Sequence, residues 1–481
     1  MDDIKRHASL STAVAAVAVL FTSSTLSYHY ISRSSKKNEY REIPLAKGSM
    51  PYFDDIPGIM MAEQNANNEE PILRVNMGCR PWMIIMDRHL AHERIAEWSA
   101  TTTVIQYLSP KHLDTTGAVH ILEKESDCVV NRLISFHDEP MGVGVLRHLK
   151  LFTMNVILTL GFDQRIEHPD DPFFNTMLQL IETSIQHADP FFDRRAFLPL
   201  IMGLIDWCTG TEKKLTRLME QVRDPILKQL IRDGIDSGKE CLAKKLNDMK
   251  DEDVNDKAII GACYDFIVAG TDTVSTTLSW AMVILCNHPK EQRQLQAEMD
   301  AFTEKYKRLP KFEERDHFPL LNSTQKECMR MRCVSPLGLA RRVVKDTVCR
   351  DYLIPKGTTL CGNIYLMNHD PHAYPDPYRF KIDRFLNNPR PMSTLAKAKA
   401  EERDQFTFGF GRRLCPGAYL AEMEMFYIWV RLLVRATIEP PLDQAGNPVC
   451  PDMNKIGNGG AIIFPAQDEL RFIRRENPLN L

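Results

Sequence analysis

Cys415 closes the run Phe408-Gly409-Phe410-Gly411-Arg412-Arg413-Leu414-Cys415-Pro416-Gly417, a lone thiol on a glycine-rich turn just ahead of an apolar, helix-competent segment. Cysteine holds a metal as the thiolate, and backbone N–H groups on such a loop can point at sulfur and stabilise its charge. Gly409, Gly411 and Gly417 let the chain take unusual dihedrals and come close to a flat group. One thiolate offered in this way suits iron in a porphyrin, with Phe408 beside it and Arg413 as a charge-assisted donor to a porphyrin carboxylate. Without that guest, the run reads as an ordinary turn with an inert, buried cysteine.

A second constellation is Ala269-Gly270-Thr271-Asp272-Thr273, inside the long, mostly uncharged segment from Ala258 to Cys286. Glycine within a helix costs about 1 kcal/mol against alanine, so Gly270 needs a compensating reason; close approach of a flat ligand is one. Asp272 and Thr273 then set an acid and an alcohol beside the gap, suited to relaying protons. The alternative is that Thr273 bonds back to a helix carbonyl and Asp272 pairs with a distant cation. Glu327 and Arg330 stand three apart on a helix expected to start near Pro319, so their side chains share a face.

Together these motifs resemble the cytochrome P-450 family of heme-thiolate monooxygenases. The run Phe408 to Gly417 fits Phe-x-x-Gly-x-Arg-x-Cys-x-Gly at every fixed position, and Ala269 to Thr273 is similar to the family's oxygen-activation motif. Glu327-Cys328-Met329-Arg330 resembles its Glu-x-x-Arg motif, and Phe380 to Phe385 its meander. The resemblance implies Cys415 as iron ligand to heme b (iron protoporphyrin IX), Asp272 and Thr273 relaying protons to dioxygen, and Arg413 and Arg341 on the propionates. It implies that Arg384 joins Glu327 and Arg330 in a structural triad that shapes the cysteine loop. Ile382 and Asp383 replace the family's usual proline and glutamate in the meander, and Val274 stands where many members carry a second hydroxyl. For Arg341, a solvated basic pair with Arg342 is an equal alternative.

The family normally places a Trp-x-x-x-Arg helix, contacting heme, after a long loop that roofs the substrate pocket. Here Trp98 is followed by Ser99, Ala100, Thr101 and Thr102, and only Arg88 to Glu97 separate it from an expected hairpin between Pro71 and Asp87. The lid is largely missing. Beyond it, IQYLSPKHL resumes a continuation most like filamentous-fungal members. The shortening motivates an alternative function: a heme-binding, catalytically impaired relative with a binding role. A third reading is isomerase or dehydratase chemistry on a peroxide.

Composition bounds the rest. A net charge of -3 and an isoelectric point near 6.5 give no global basic field and argue against nucleic acid as a partner. The 12 cysteines form no CxxC pair and read as reduced thiols. Ala8 to Ile31 contains no Asp, Glu, Lys or Arg; as a helix it would be roughly 36 Å long against a hydrocarbon core of about 30 Å. We therefore expect a membrane anchor with basic flank at 1–37, a Pro-containing connector at 38–60 and a single large heme domain at 61–481. Flanking charges and the family resemblance favour the endoplasmic reticulum, with the catalytic domain facing the cytosol.

Helical periodicity is expected over Leu146 to Gly161, Pro172 to His187 and Asp224 to Asp248, with a second sheet element over Arg341 to Thr359. Ala258 to Cys286 would be a central buried helix capped near Asn255, because two carboxylates are costly in lipid. The expected class is mainly α with minor β sheets (α+β), the cytochrome P-450 fold. The expected activity is insertion of one oxygen atom from O2 into a lipophilic organic substrate, with electrons from an NADPH-dependent cytochrome reductase flavoprotein.

Overall fold

The computed structural model describes residues 72–77, 80–85, 102–188, 208–249, 255–349, 351–411, 414–476 and 479. The expected anchor and connector lie outside the described residues, as do Trp98 and Arg413. The chain divides into two compact units, and each is built from discontinuous pieces.

The smaller unit comprises Met1–Met86, Asp193–Gly210 and Ala340–Cys361. Strands β1 (Ile72–Met77) and β2 (Arg80–Ile85) form the expected antiparallel hairpin, with Ile72 opposite Ile85. Trp82 to Ile85 are buried, as an apolar strand requires.

The larger unit carries β3 (Val143–Gly144) and then most of the helices. The smaller unit also holds β4 (Arg341–Arg342), β5 (Thr347–Cys349), β6 (Tyr352–Ile354) and all but the last residue of β7 (Thr359–Gly362). They complete the sheet β1-β2-β7-β4 and the separate pair β5-β6. Near the C-terminus, β8 (Ala436–Glu439) and β11 (Glu469–Arg474) join β3 in the order β3-β11-β8, while β9 (Ile456–Asn458) pairs with β10 (Ile463–Pro465).

The helices that position the site are α1 (Ala118–Ser135), α2 (Val145–Phe162), α3 (Pro172–Ala188), α4 (Asp224–Asp236) and α5 (Leu242–Asp248). They are followed by α6 (Asp256–Cys286), α7 (Pro289–Tyr306), α8 (Pro319–Met331), α9 (Ile364–Asn368) and α10 (Ala418–Arg435). The expectation of one helix over Asp224 to Asp248 is corrected. Gly238, at φ +69, turns the chain between α4 and α5, a left-handed position that glycine takes without steric cost.

Helix α6, 31 residues long, begins where Asn255 accepts a 3.0 Å hydrogen bond from Ala258 N, satisfying one of the helix's free N–H groups. From Val274 to Cys286 every residue is buried. Helix α2 packs along it: Thr153 Oγ1 donates to Thr271 O at 2.7 Å. Trp280 Nε1 on α6 donates to Ile463 O on β10 at 3.1 Å, so a large apolar ring enters the core with its one polar atom satisfied. Among the described residues two helices, α2 and α6, are long and apolar enough to cross a membrane; each has 78% of its apolar window buried in the protein.

Candidate functional site

Gly409 (φ +76) and Gly411 (φ +68) take the left-handed backbone that shapes the cysteine loop. Within it, Cys415 N donates to Phe408 O at 2.9 Å and Leu414 N to Gly411 O at 3.2 Å. Phe408 and Phe410 are buried, and Phe410 fills the space beside Gly362, where a Cβ would lie 2.6 Å from its ring. Arg403 ties the loop from behind: Nη1 donates to Gly409 O at 2.7 Å, and Nη2 donates to Ala396 O. Its guanidinium also stacks 5.0 Å from the Phe406 ring.

Cys415 itself is half-buried at the start of α10. Burial pushes its thiol up from the ordinary value, and the Gly417 backbone N–H pulls it back. A Cβ at Gly417 would sit 3.9 Å from the sulfur, in ordinary van der Waals contact. No group of three or more His, Cys, Asp or Glu is placed to hold a metal among the described residues. A solitary, partly open sulfur with a backbone N–H directed at it fits an iron whose other ligands come from a macrocycle.

The triad geometry is explicit. Glu327 and Arg330 are fully buried on α8, with Arg330 Nε 2.7 Å from Glu327 Oε2 and Nη2 3.0 Å from Oε1. Arg384 Nε is 3.0 Å from both Glu327 oxygens. Its remaining nitrogens donate to Pro375 O, Asp376 O and Arg379 O, which pins the meander. Two residues that sequence reasoning missed carry this order to the loop. Arg330 Nη1 donates to Asn368 O at 2.8 Å, and Asn368 Oδ1 accepts from Phe406 N at 2.8 Å. Asn368 and Arg403 are polar residues that the structure buries, a property no local spacing announces.

On α6, Asp265, Ala269 and Thr273 form a stripe at i, i+4 and i+8 in which the first two are exposed and the third half-buried. Between Ile259 and Cys286, Asp265 and Ala269 are the exposed residues of the helix. Thr273 Oγ1 donates back to Ala269 O at 2.7 Å. Asp272 is buried, with Oδ1 3.1 Å from Lys150 Nζ on α2, and the same ammonium lies 3.6 Å from Glu182 on α3. Burial raises the Asp272 carboxyl above the ordinary carboxylate range, and Lys150 opposes the rise. Lys150 was missed; its only signal was a lone lysine within the apolar run of α2.

At Gly270 a Cβ would meet Ile157 Cδ1 at 2.4 Å and Cγ1 at 2.5 Å, so the close packing of α2 is a reason for glycine there beside the flat ligand that the sequence suggested. Arg341 stands half-buried on β4, opposite Leu360.

Comparison with known proteins agrees with this geometry. The cytochrome P-450 family profile matches residues 88–458, and the chain belongs to that family. The cytochrome P-450 monooxygenase COX2 of Coprinopsis cinerea is 28% identical over 65% of this chain and 60% of its own length. Cytochrome P-450 monooxygenase 69 of Postia placenta is 35% identical over 43% of this chain and 37% of its own length. The chain thus spans less than two thirds of these curated relatives. Cytochrome P-450 2C6 of Rattus norvegicus is 28% identical over 73% of this chain and 70% of its own. A solved zebrafish cytochrome P-450 structure with progesterone covers 87% of this chain and 99% of that one, with a TM-score of 0.66 at 21% identity. That likeness establishes the mainly α fold with small sheets.

Proposed function

We propose that this chain is a membrane-anchored heme-thiolate monooxygenase that inserts one oxygen atom from O2 into a lipophilic organic substrate. The observation that carries the reading is the Cys415 sulfur, held half-open on a loop fixed by Phe408, Gly409 and Arg403. Heme b, when bound, supplies the one-electron and O2 chemistry that thiolate ligation favours. The protein's part is to fix the sulfur and to hold Asp272 protonatable next to Thr273 on α6. Lys150 holds the Asp272 carboxyl from α2, and the Thr273 hydroxyl stands on the open stripe; these are the two groups that would handle protons.

Electrons come from an NADPH-dependent flavoprotein reductase, and Arg412 and Arg413 are the basic residues of the sequence proposed to meet an acidic partner. Residues 8–31 anchor the chain in the endoplasmic reticulum membrane, with the catalytic units in the cytosol. The test is NADPH consumption and hydroxylated product from full-length, heme-loaded protein with reductase and a lipophilic substrate panel. Coupled product formation is expected; heme uptake with no turnover across the panel contradicts the monooxygenase reading and favours the impaired relative. Turnover of fatty-acid hydroperoxides without reductase favours the isomerase or dehydratase reading.

A further inference from the structure

Lys326 precedes Glu327 on α8 and holds the chain just beyond the meander: its ammonium donates to Asn388 O and Arg390 O, both at 2.7 Å. The same Nζ lies 3.6 Å from Asp404 Oδ2, and the two side chains are 2% and 1% exposed. Lysine is almost never buried to this degree without partners, and two carbonyls and a carboxylate meet that requirement. Among the described residues this ammonium is the one ion-pair partner of Asp404, and no hydrogen bond reaches either carboxylate oxygen.

Asp404 stands at the entry to the cysteine loop. Its backbone carbonyl accepts from the Tyr374 hydroxyl at 3.0 Å. Arg403, just before it, holds Gly409 O at 2.7 Å, and Phe406 N, just after it, donates to Asn368 Oδ1 at 2.8 Å. Two consecutive residues of α8 thus serve both approaches to Cys415: Glu327 through Arg384 and the meander, Lys326 through Asp404. An apolar pair of similar volume is often as stable as a buried ion pair, so stability alone does not account for a lysine and an aspartate here. What opposite charges add is selection of one arrangement, because any other leaves both of them buried and uncompensated.

We propose that Lys326 and Asp404 are positioning residues for the Cys415 sulfur, fixing residues 403–409 so that the loop offers the thiolate in one geometry. The proposal rests on the heme-thiolate reading of Cys415 and carries the work of Glu327, Arg330 and Arg384 to the second approach.

The test compares full-length, heme-loaded wild type with Asp404→Asn and with Lys326→Met/Asp404→Leu, by denaturant unfolding, ferrous-CO absorption and hydrogen exchange. Amides of residues 403–411 are expected to exchange about tenfold faster or more in both variants. Part of the ferrous-CO band should leave the position typical of thiolate ligation. The double variant discriminates: its unfolding free energy should return close to the wild-type value while its exchange and its spectrum stay altered. Recovery of all three together would mean a pair that only stabilises, and would overturn the proposal. Should the double variant fail to fold, Asp404→Asn decides, and wild-type exchange over 403–411 in it overturns the proposal as well. A wild type with no thiolate band overturns the heme-thiolate reading and the proposal with it; a wild-type band that neither variant disturbs overturns the proposal alone.

Discussion

Arg384 reaches back 57 residues along the chain to place Nε 3.0 Å from both oxygens of Glu327, which Arg330 already grips from one turn away. One buried carboxylate therefore holds two guanidinium groups, and through Asn368 it also holds the approach to the cysteine loop. Glu327→Gln leaves two cations in the interior without a counter-charge. Losses on the order of 3–5 kcal/mol are usual for such a change. Denaturant unfolding together with heme content per chain measures it; wild-type stability and full heme occupancy in the variant would count against the triad.

Gly270→Ala drives a methyl into Ile157 and is expected to cost about 1–3 kcal/mol, as overpacking does. In an Ile157→Ala background the clash disappears, and alanine's helix preference, worth about 1 kcal/mol, turns the same substitution favourable. A double-mutant cycle by thermal unfolding reads the coupling. Equal penalties in both backgrounds would show that α2 is not what requires the glycine.

If Asp272 and Thr273 handle protons, Asp272→Asn and Thr273→Ala should each lower coupled product formation on the order of 10²-fold. Reduced coenzyme would then be consumed with release of hydrogen peroxide. Lys150→Met, which removes the partner 3.1 Å from Asp272, should follow in the same direction and shift the pH profile of turnover. Unchanged product yield in Thr273→Ala would reduce its hydroxyl to the role its 2.7 Å bond to Ala269 O already describes.

Burial lowers His148 to about 4 and His369 to about 3, the latter ring lying between Tyr365 and Tyr378. Both are neutral in the folded protein, while the unfolded chain takes up protons below about pH 6.5. Stability is therefore complete above that pH and falls as the pH drops towards 4, by about 1.4 kcal/mol per pH unit for each histidine. Unfolding free energies at pH 6.5 and 5 should show His148→Phe losing one histidine's share of the slope. An identical slope in the variant would contradict the assignment.

The features legible in sequence were those whose partners are close in the chain or whose chemistry is rare. The α6 helix shows its length, its Asn255 cap and its two carboxylates in order, and Glu327 and Arg330 share a helical face by spacing alone. What could not be read was contact between remote segments. Ile157 is 113 residues from Gly270, and nothing local distinguishes a glycine that admits a neighbouring helix from one that admits a ligand. Lys150, Asn368 and Arg403 are likewise polar residues whose meaning comes from burial against α6, α8 and the cysteine loop. The turn at Gly238 was readable from Ser237-Gly238, and apolar periodicity running on both sides hid it.

The central claim is that Cys415 sulfur is the protein's ligand to heme iron. The direct measurement is the absorption spectrum of the full-length protein, expressed with ample heme, reduced with dithionite under carbon monoxide, beside Cys415→Ala. The account predicts a Soret band at the position typical of thiolate-ligated ferrous-CO heme, and its loss in the variant. A colourless wild type, or the same spectrum in both proteins, would contradict it.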